Sequence, residues 1–392
     1  MIPLDEALAH IRSALSPLPE ERQTLSAALG AHLARPLRAL LDHPRVDESA
    51  MDGYAVFAAD VPEPGVRLPL HGESRAGGPP PDALPSGHAM RIFTGAALPA
   101  RADAVIVQED ALAEDGAVSF EFAPDAGHHV RRRGSSCRSG DELAPAGRRV
   151  SAGVVAAAAS QGLVDLPVRV PSVVVLATGD ELVAPGEPLQ PGAIYDSNGP
   201  MALAMLKQWG GVEARAVRAG DSSEALQTQL EAARSSDLVL TMGGASVGAY
   251  DIVANTFKAA GCSFAFHGVA VKPGKPVAFG RFEGGPAVLM LPGNPVSAFV
   301  TFHVFADAAL RALCGAPPRT VEHVTLAAEH RHRTGRVEFI RAAIDADGRA
   351  CPFSRQNSGA MHDLARADVL IRLAADQAKF DEGATLPAIR LR

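Results

Sequence analysis

Three glycine-rich turns in the middle of the chain combine flexible backbone with polar side chains that could bind an anion. The turns are TGDELVAPGEPLQPGAIYDSN (178–198), TMGGASVGAYD (241–251) and LPGNPVSAF (291–299). Glycine lets backbone N–H groups approach a bound group closely, and a helix N-terminus adds partial positive charge. In the third turn, Asn294 could cap a helix that has Pro295 at its first position. A phosphate is therefore a candidate ligand of the second and third turns, although glycine-rich turns are also common in parallel sheets that bind nothing.

A pair of lysines adds positive charge to this part of the chain. In VAVKPGKPVAFG (269–280), Lys272 and Lys275 flank a Pro-Gly turn. The chain has only five lysines, and lysine is a common point-charge partner of phosphate. The pair could therefore converge on one anion; a solvated surface turn is the alternative.

Acidic residues recur at loop positions near these turns: Asp52, Asp180, Glu181, Asp196, Asp221 and Asp251. Carboxylates repel phosphate unless a divalent cation lies between them, and Mg²⁺ typically uses one or two carboxylates together with substrate phosphates. We therefore expect the turn that ends at Asp251 to offer backbone N–H groups to a phosphate and its carboxylate to a cation. The histidines at 128, 129, 330 and 332 lack convincing metal-site spacing and receive no role.

The composition argues against several classes of protein. The chain has 392 residues, is 47% hydrophobic and has a net charge of −7, which does not favour nucleic acid or an anionic membrane as a bulk partner. Its four cysteines are widely spaced without a CxxC motif, so we expect reduced, structural thiols. The N-terminus lacks the apolar region of a signal peptide and no apolar run approaches 18 residues, which predicts a cytoplasmic chain without a membrane span.

The elements that would position these residues fall into four predicted modules, of the α/β class with β-rich additions. Strands and helices alternate over 171–316, which indicates a doubly wound parallel sheet whose strand ends would carry the three turns. Short alternating strands predict a β-rich domain over 46–141 and a C-terminal β-barrel-like domain over 317–392. Residues 1–45 with 142–170 are expected to form a helical linker domain, in which the N-terminal helix would pack on the helix within 151–170.

Seven tracts in order resemble the molybdopterin molybdenumtransferase family, the MoeA and gephyrin E-domain type. They are SAMDGYAV (49–56), IFTGAALPARADAVIVQED (92–110), TGDELVAPGEPLQPGAIYDSN, GGASVGAYD, KPGKP, LPGNPVSA and GRVEFIRA (335–342). The resemblance implies that adenylylated molybdopterin and molybdate are converted to molybdenum cofactor with release of AMP. It also implies Mg²⁺, a homodimer, and a site between the α/β domain of one protomer and the β domains of the other. Transient contacts with a pterin adenylyltransferase and with cofactor-accepting molybdoenzymes are further expectations.

The resemblance also assigns roles to single residues. It implies catalytic roles for Asp52, Thr94, Glu181, Asp221, Asp251 and Arg341. It implies pterin and phosphate binding by Gly243, Gly244, Ser246, Gly248, Lys272, Lys275, Pro292, Gly293, Asn294, Ser297 and Ser358. Asp221 and Asp251 would hold the cation. Asp52, Thr94, Arg341 and Ser358 would reach in from the partner protomer, with Arg341 able to hold an oxyanion.

One departure from the family pattern keeps other functions open. Ser136 stands where relatives often have an acid, and Asp141 follows five residues later. The first alternative is a non-catalytic molybdopterin carrier or scaffold, which would bind pterin without releasing AMP. The second is another enzyme on the same α/β domain, such as a pterin adenylyltransferase or a nucleotide amidohydrolase, which the flanking β domains argue against. The sequence does not distinguish molybdate from tungstate.

Overall fold

The structure, a computed structural model, describes residues 1–243 and 252–391 and contains two compact units. The larger unit comprises Met1–Pro36, Pro145–Ala159 and Leu163–Arg392. The smaller unit comprises Leu37–Ala144 with Ser160–Gly162. The chain therefore leaves the larger unit after Pro36 and returns to it at Pro145.

The larger unit is built around a six-stranded sheet. In spatial order its strands are Glu213–Ala219, Ser172–Thr178, Leu238–Met242, Ala287–Leu291, Ala278–Phe282 and Cys262–His267. The first four strands are parallel, as the alternating pattern predicts, and the last two join one edge of the sheet through antiparallel pairing. The expected α/β class is confirmed, with a mixed sheet in place of an entirely parallel one.

Both faces of this sheet are buried, because successive side chains of a strand point to opposite faces. Val173 and Val175 belong to one apolar cluster, whereas Val174 and Leu176 belong to the other. The α-helices of the described residues are Leu4–Ala14, Ala152–Ser160, Asn198–Trp209, Ser223–Ala232, Ile252–Ala259, Pro295–Thr301 and Asp307–Cys314. Burial of a large apolar side chain such as Phe257 stabilises the fold by roughly 1.5–3 kcal/mol.

The longest apolar helix runs from Pro295 to Cys314, with a π-helical turn at Phe302–Ala306. By length and composition it could cross a membrane, and it is the single such helix among the described residues. However, 72% of its apolar window is buried inside the protein, so its apolar side chains already form part of the core.

The N-terminal helix packs differently from the prediction. Leu4–Ala14 lies against Asp307–Cys314 rather than against Ala152–Ser160. Its buried residues Leu4, Ala7 and Ile11 share a cluster with Leu310 and Leu313. The predicted packing partner was therefore wrong, because helical spacing identifies a buried face without specifying what covers it.

The C-terminal segment forms a second sheet in the larger unit. In spatial order its strands are Val271–Lys272, Val337–Ile344, Val369–Leu373, Thr385–Arg390 and Glu322–Thr325, and Ala350–Pro352 pairs with the second of these. The strand Val271–Lys272 belongs to the predicted α/β segment in the chain but pairs with Val337 and Glu338. The KPGKP tract therefore starts in the sheet of the C-terminal segment, across the predicted boundary at residue 316.

Shorter strands complete both units. In the smaller unit a six-stranded sheet has the order Ala104–Val107, Gly53–Val56, Ala89–Ile92, Arg67–Ser74, Ala117–Phe120 and Ala111–Glu114. Its two-stranded pairs are Val130–Arg131 with Glu48–Ser49 and Glu142–Ala144 with Leu37–Arg38. In the larger unit, a three-stranded sheet consists of Glu21–Thr24, Asp165–Arg169 and His32–Leu33. The remaining pairs are Leu182–Val183 with Ile194–Tyr195 and His330–Arg331 with Lys379–Phe380.

Two buried histidines predict that acid will destabilise the larger unit. Burial lowers the pKa of His32 and of His303 to about 4, with nearby arginines adding to the effect. The unfolded chain then binds more protons than the folded chain between pH 6.5 and 4, so stability should fall as pH falls through that window. Each histidine should lower the free energy of unfolding by on the order of 3 kcal/mol across this pH window. Thermal unfolding at pH 7 and pH 4.5 should show a smaller acid loss in His303→Gln, whereas His323→Gln, at an exposed position, should match wild type. An unchanged acid loss in His303→Gln would contradict this assignment.

Candidate functional site

A cleft of ≈490 Å³ lies at the carboxyl edge of the central sheet. Its walls come from segments that follow four strands of that sheet. The lining residues include Thr178, Gly179, Glu181, Tyr195, Asp196, Asn198, Asp221, Met242, Gly243, Gly293 and Pro295. The cleft thus brings together the predicted site residues Glu181, Asp221, Gly243 and Gly293, as expected for an α/β sheet that binds a ligand at its strand ends.

Two aspartates join two loops of the cleft. The backbone N–H of Asp221 donates to Oδ1 of Asp180 at 2.9 Å, and the N–H of Asp180 donates to Oδ2 of Asp221 at 3.4 Å. Each carboxylate retains a second oxygen outside these bonds. Glu181 follows directly along the chain, so three acids lie at this corner. No group of three or more acids, histidines or cysteines is arranged around a metal among the described residues. The pair of aspartates fits Mg²⁺, which needs only one or two carboxylates when substrate phosphates complete its shell.

Glycine is required where two turns of the cleft cross. Gly243 has φ +121°, and a Cβ there would lie 2.8 Å from Oγ1 and 2.9 Å from the carbonyl oxygen of Thr178. A Cβ on Gly293 would lie 3.2 Å from the Cα of Gly243. Because neither glycine carries a side chain, backbone atoms of both turns line the cleft. Glycine here therefore has a packing role, whether or not a ligand binds.

The third turn caps its helix as predicted. Oδ1 of Asn294 accepts a hydrogen bond from the N–H of Val296 at 3.2 Å, and Pro295 occupies the first helical position. Pro292 and Ser297 are buried, so neither side chain is openly available. The predicted residues Gly244, Ser246, Gly248 and Asp251 lie outside the described residues.

Two further cleft residues lie in the tract ending in YDSN: Asp196, which the sequence singled out as a loop acid without a role, and Asn198, which it did not single out. Asn198 is 7% exposed, and its Nδ2 donates to the carbonyl oxygen of Gly293 at 2.7 Å. Its Oδ1 is buried without a hydrogen-bond partner among the described residues. Asp196 is also buried and accepts from the N–H of Gly199 at 2.9 Å. Asn198 thus lines the cleft and carries an acceptor that nothing described satisfies.

Both lysines of the pair are exposed, but only Lys272 has an ion-pair partner among the described residues. Nζ of Lys272 lies 2.8 Å from Oε1 of Glu338, which is 3% exposed. The other carboxylate oxygen lies 3.2 Å from Nδ1 of His332, whose Nε2 lies 2.7 Å from the carbonyl oxygen of Gln377. Lys275 is exposed, and no ion pair of its side chain occurs within the described part of the chain.

Arg341 holds a loop of its own chain. It is 1% exposed, and Nη2 donates to the carbonyl oxygens of Arg355 at 2.6 Å and Asn357 at 3.4 Å. Burial lowers its pKa, and its Nε has no partner among the described residues. Ser358 is exposed at the end of the loop that Arg341 holds. The predicted contact of Arg341 with an oxyanion stays a prediction, because its guanidinium is buried against this loop.

In the smaller unit, two predicted residues bind each other. Oδ1 of Asp52 accepts from both the N–H and the Oγ1 of Thr94, each at 2.7 Å. These bonds, with the charge of Arg91, hold the pKa of the exposed Asp52 below its usual value, so this carboxylate is ionised at neutral pH. Ser136 is exposed, and the carboxylate of Asp141 accepts from the N–H of Arg138 at 2.8 Å. Asp141 therefore caps its own turn.

The cysteines do not supply a reactive thiol to the cleft. All four are free, and burial raises the pKa of Cys262 and of Cys314 to about 12. A thiol with so high a pKa is protonated at neutral pH and is a poor nucleophile and metal ligand.

Comparison with known proteins places this fold and cleft in a class. Three family models match in order: the MoeA N-terminal region (domain I and II) at residues 2–162, a probable molybdopterin binding domain at 174–312, and the MoeA C-terminal region (domain IV) at 323–391. The cleft lies within the second match. The chain is thus of the MoeA class, with a domain of the molybdopterin-binding type between two MoeA regions.

Individual relatives narrow this class to a family. Molybdopterin molybdenumtransferase 2 of Mycobacterium tuberculosis is 36% identical over 379 residues, which cover 92% of this chain and 93% of the relative. Molybdopterin molybdenumtransferase of Nostoc is 38% identical over 74% of this chain and 69% of its own length. Two solved structures of a molybdopterin biosynthesis MoeA protein from Pyrococcus horikoshii align with TM-scores of 0.81 and 0.85. Their identities are 29% and 25%, and each alignment covers at least 99% of both chains. The chain belongs to the molybdopterin molybdenumtransferase family, which confirms the resemblance inferred from the seven tracts.

The two lysines of KPGKP should differ in their contribution to stability. Lys272→Met would leave the buried carboxylate of Glu338 without its ammonium partner, and we expect a loss of about 1–2 kcal/mol. Lys275→Met removes an exposed charge and should change stability by less than about 0.5 kcal/mol. Thermal unfolding of the two variants beside wild type measures the difference. Equal effects would show that the pair between Lys272 and Glu338 does not stabilise the fold.

Proposed function

We propose that this protein inserts molybdenum into adenylylated molybdopterin, forming molybdenum cofactor and releasing AMP. The observation that carries this proposal is the cleft at the carboxyl edge of the sheet, where paired acids, bare backbone and a capped helix meet. The names of the relatives in the family support the same reaction. Molybdate and the adenylylated pterin are both substrates in this proposal.

The residues of the cleft have complementary tasks in this reaction. The carboxylates of Asp180, Glu181 and Asp221 suit the polar edge of a pterin or a cation, and Oδ1 of Asn198 offers an acceptor to a pterin N–H. The helix that begins at Pro295 presents the partial positive charge of its N-terminus to a phosphate. The site would then act by positioning the substrates and stabilising charge, because no histidine or cysteine is found among the described residues that line the cleft.

A divalent cation, Mg²⁺, belongs to the same proposal. Asp180 and Asp221 would hold it, and Asp251 is the further predicted ligand. When bound, the cation would offset the charge of the substrate phosphates. The scattered cysteines support ligation of molybdenum by the dithiolene of the substrate. They also favour a reducing compartment, and we propose the cytoplasm.

The first test is AMP release from adenylylated molybdopterin by the purified protein, with and without Mg²⁺ and molybdate. We expect release that depends on both ions. Asp221→Asn should lower turnover about 100-fold or more, because a charge that the site needs is lost. Asp251→Ala should abolish turnover as well. Glu283→Gln is the matched control, since Glu283 lies in the exposed turn before Ala287–Leu291, at the opposite edge of the sheet.

The outcomes separate the proposed enzyme from its alternatives. Pterin binding without AMP release would contradict the enzyme and favour a carrier. Restoring an acid at position 136 would then show whether Ser136 is responsible. Consumption of ATP with bare molybdopterin would indicate an adenylyltransferase instead. Full activity of Asp221→Asn would remove that residue from the mechanism.

We further propose that the protein acts as a homodimer in which Asp52 and Thr94 complete the site of the partner protomer. Mixing Asp52→Ala with Asp221→Asn under conditions that exchange protomers tests this arrangement. If one site uses Asp52 from one protomer and Asp221 from the other, random exchange restores about a quarter of wild-type turnover. If both residues serve the same protomer, the mixture stays inactive. Sedimentation of the wild-type protein as a monomer would also contradict the proposal.

A further inference from the structure

A second cavity in the larger unit has a strong excess of positive charge. It has a volume of ≈210 Å³ and shares no lining residue with the cleft. Its charged lining residues are Arg149, Arg311, Arg319, Arg390 and Asp307. The lining holds four guanidinium groups and one carboxylate, and Arg390 also pairs with Glu322 outside the lining, so two positive charges remain without a carboxylate. The helix Asn198–Trp209 begins in the cleft and ends at this cavity, so the two lie roughly 17 Å apart along that helix.

The carboxylate of Asp307 is already saturated. It is 4% exposed and accepts from Nε of Arg311 at 2.8 Å, from Nη2 of Arg319 at 2.9 Å and from Nε1 of Trp209 at 3.1 Å. Burial alone would raise the pKa of Asp307, but the arginines, Arg319 above all, hold it below its usual value, so the carboxylate stays ionised. One carboxylate cannot neutralise two guanidinium groups, so even this well-bonded cluster retains a net positive charge.

The other two arginines add charge that Asp307 does not reach. Arg149 donates only to the carbonyl oxygens of Gly30 at 3.4 Å and Gln208 at 3.2 Å, and has no carboxylate partner among the described residues. Arg390 pairs with the exposed Glu322 at 3.3 Å. A guanidinium carries five N–H donors, and these contacts use only some of them. Binding to Asp307 therefore explains why Arg311 and Arg319 lie at this cavity, but it does not explain the position of Arg149.

His32 supplies an independent sign of a missing ligand. It is 4% exposed, and its Nδ1 is buried without a hydrogen-bond partner among the described residues. Its ring lies against the ring of Trp209 at 4.8 Å between centroids. Burial, with the charges of Arg311 and Arg149, lowers the pKa of His32 to about 4, so the ring is neutral at pH 7. His303, with a pKa also lowered to about 4, lines the same cavity.

We propose that this cavity binds a tetrahedral oxyanion, with His32 and Arg149 donating hydrogen bonds to it and the surplus guanidinium charge holding it. A neutral imidazole has one N–H to donate, and an oxyanion would satisfy Nδ1 and offset Arg149 together. The cavity has several times the ~30 Å³ that one water occupies in the liquid, so phosphate or molybdate can enter. The two ions share this chemistry.

Trp209 makes the cavity directly observable, because it is the single tryptophan of the chain. The full-length protein is titrated at pH 7 with phosphate, molybdate, AMP and, at matched ionic strength, sodium chloride. We expect a saturable change in tryptophan fluorescence with phosphate, molybdate or both, and none with chloride. A response to molybdate alone identifies it as the ligand, and a response to both indicates a general oxyanion site. A response to AMP alone, an equal response to chloride or no response to any anion overturns the proposal.

Two variants locate the binding. Arg149→Gln and His32→Phe should each weaken the anion about tenfold or more. Arg333→Gln, at an exposed position outside the cavity, should leave it unchanged. If both cavity variants fold and both bind the anion with wild-type affinity, the assignment is wrong. Should the variants fail to fold, histidine NMR of the wild-type protein decides, since a bound anion must raise the pKa of His32 and chloride must not. Loss of AMP release without loss of this binding would count against the proposed function alone.

Discussion

Burial on both faces of the central sheet is the constraint on which the cleft depends. Val173 and Val175 pack in one apolar layer, and Val174 and Leu176 pack in the other, so the strand has no solvated face. Along this strand, polar side chains occur only at its two ends, Ser172 and Thr178. Because four neighbouring strands are parallel, their carboxyl ends meet at one edge, and their polar residues meet there as well. The acids of the cleft are close in space because of the apolar core beneath them.

Two buried carboxylates show how the same protein uses charge in different ways. Glu338 faces one lysine, whose single positive charge matches its own negative charge, and lies beside Nδ1 of His332. Asp307 faces two arginines and lies beside a third, so its surroundings keep a surplus. A buried carboxylate needs partners because desolvation is costly, but one partner charge would be enough. The surplus around Asp307 is therefore the feature that requires a further explanation, and a bound anion provides one.

Local sequence signals predicted the elements well and the long-range pairs poorly. The cap at Asn294 and the strand before Thr178 follow from neighbouring residues, because turn chemistry and burial act over a few positions. The ion pair between Lys272 and Glu338 joins residues 66 positions apart, and it forms only because Val271–Lys272 pairs with the C-terminal sheet. The hydrophobic periodicity of the sequence does not indicate a pairing between segments so far apart. The burial of Arg341 was missed for the same reason, since the loop that covers it lies on a different segment.

The contrast between arginine and lysine in this chain indicates which cation near KPGKP remains open to a ligand. Arg341 uses its planar fork on two carbonyl oxygens, a task that suits a guanidinium because its donors are fixed in one plane. Lys272 is held by Glu338, and its ammonium charge is largely balanced there. Lys275 is exposed at the other side of the turn, and its ammonium has no counter-ion among the described residues. A phosphate that approached this turn would therefore gain most from Lys275, while Lys272 mainly fixes the strand that presents it.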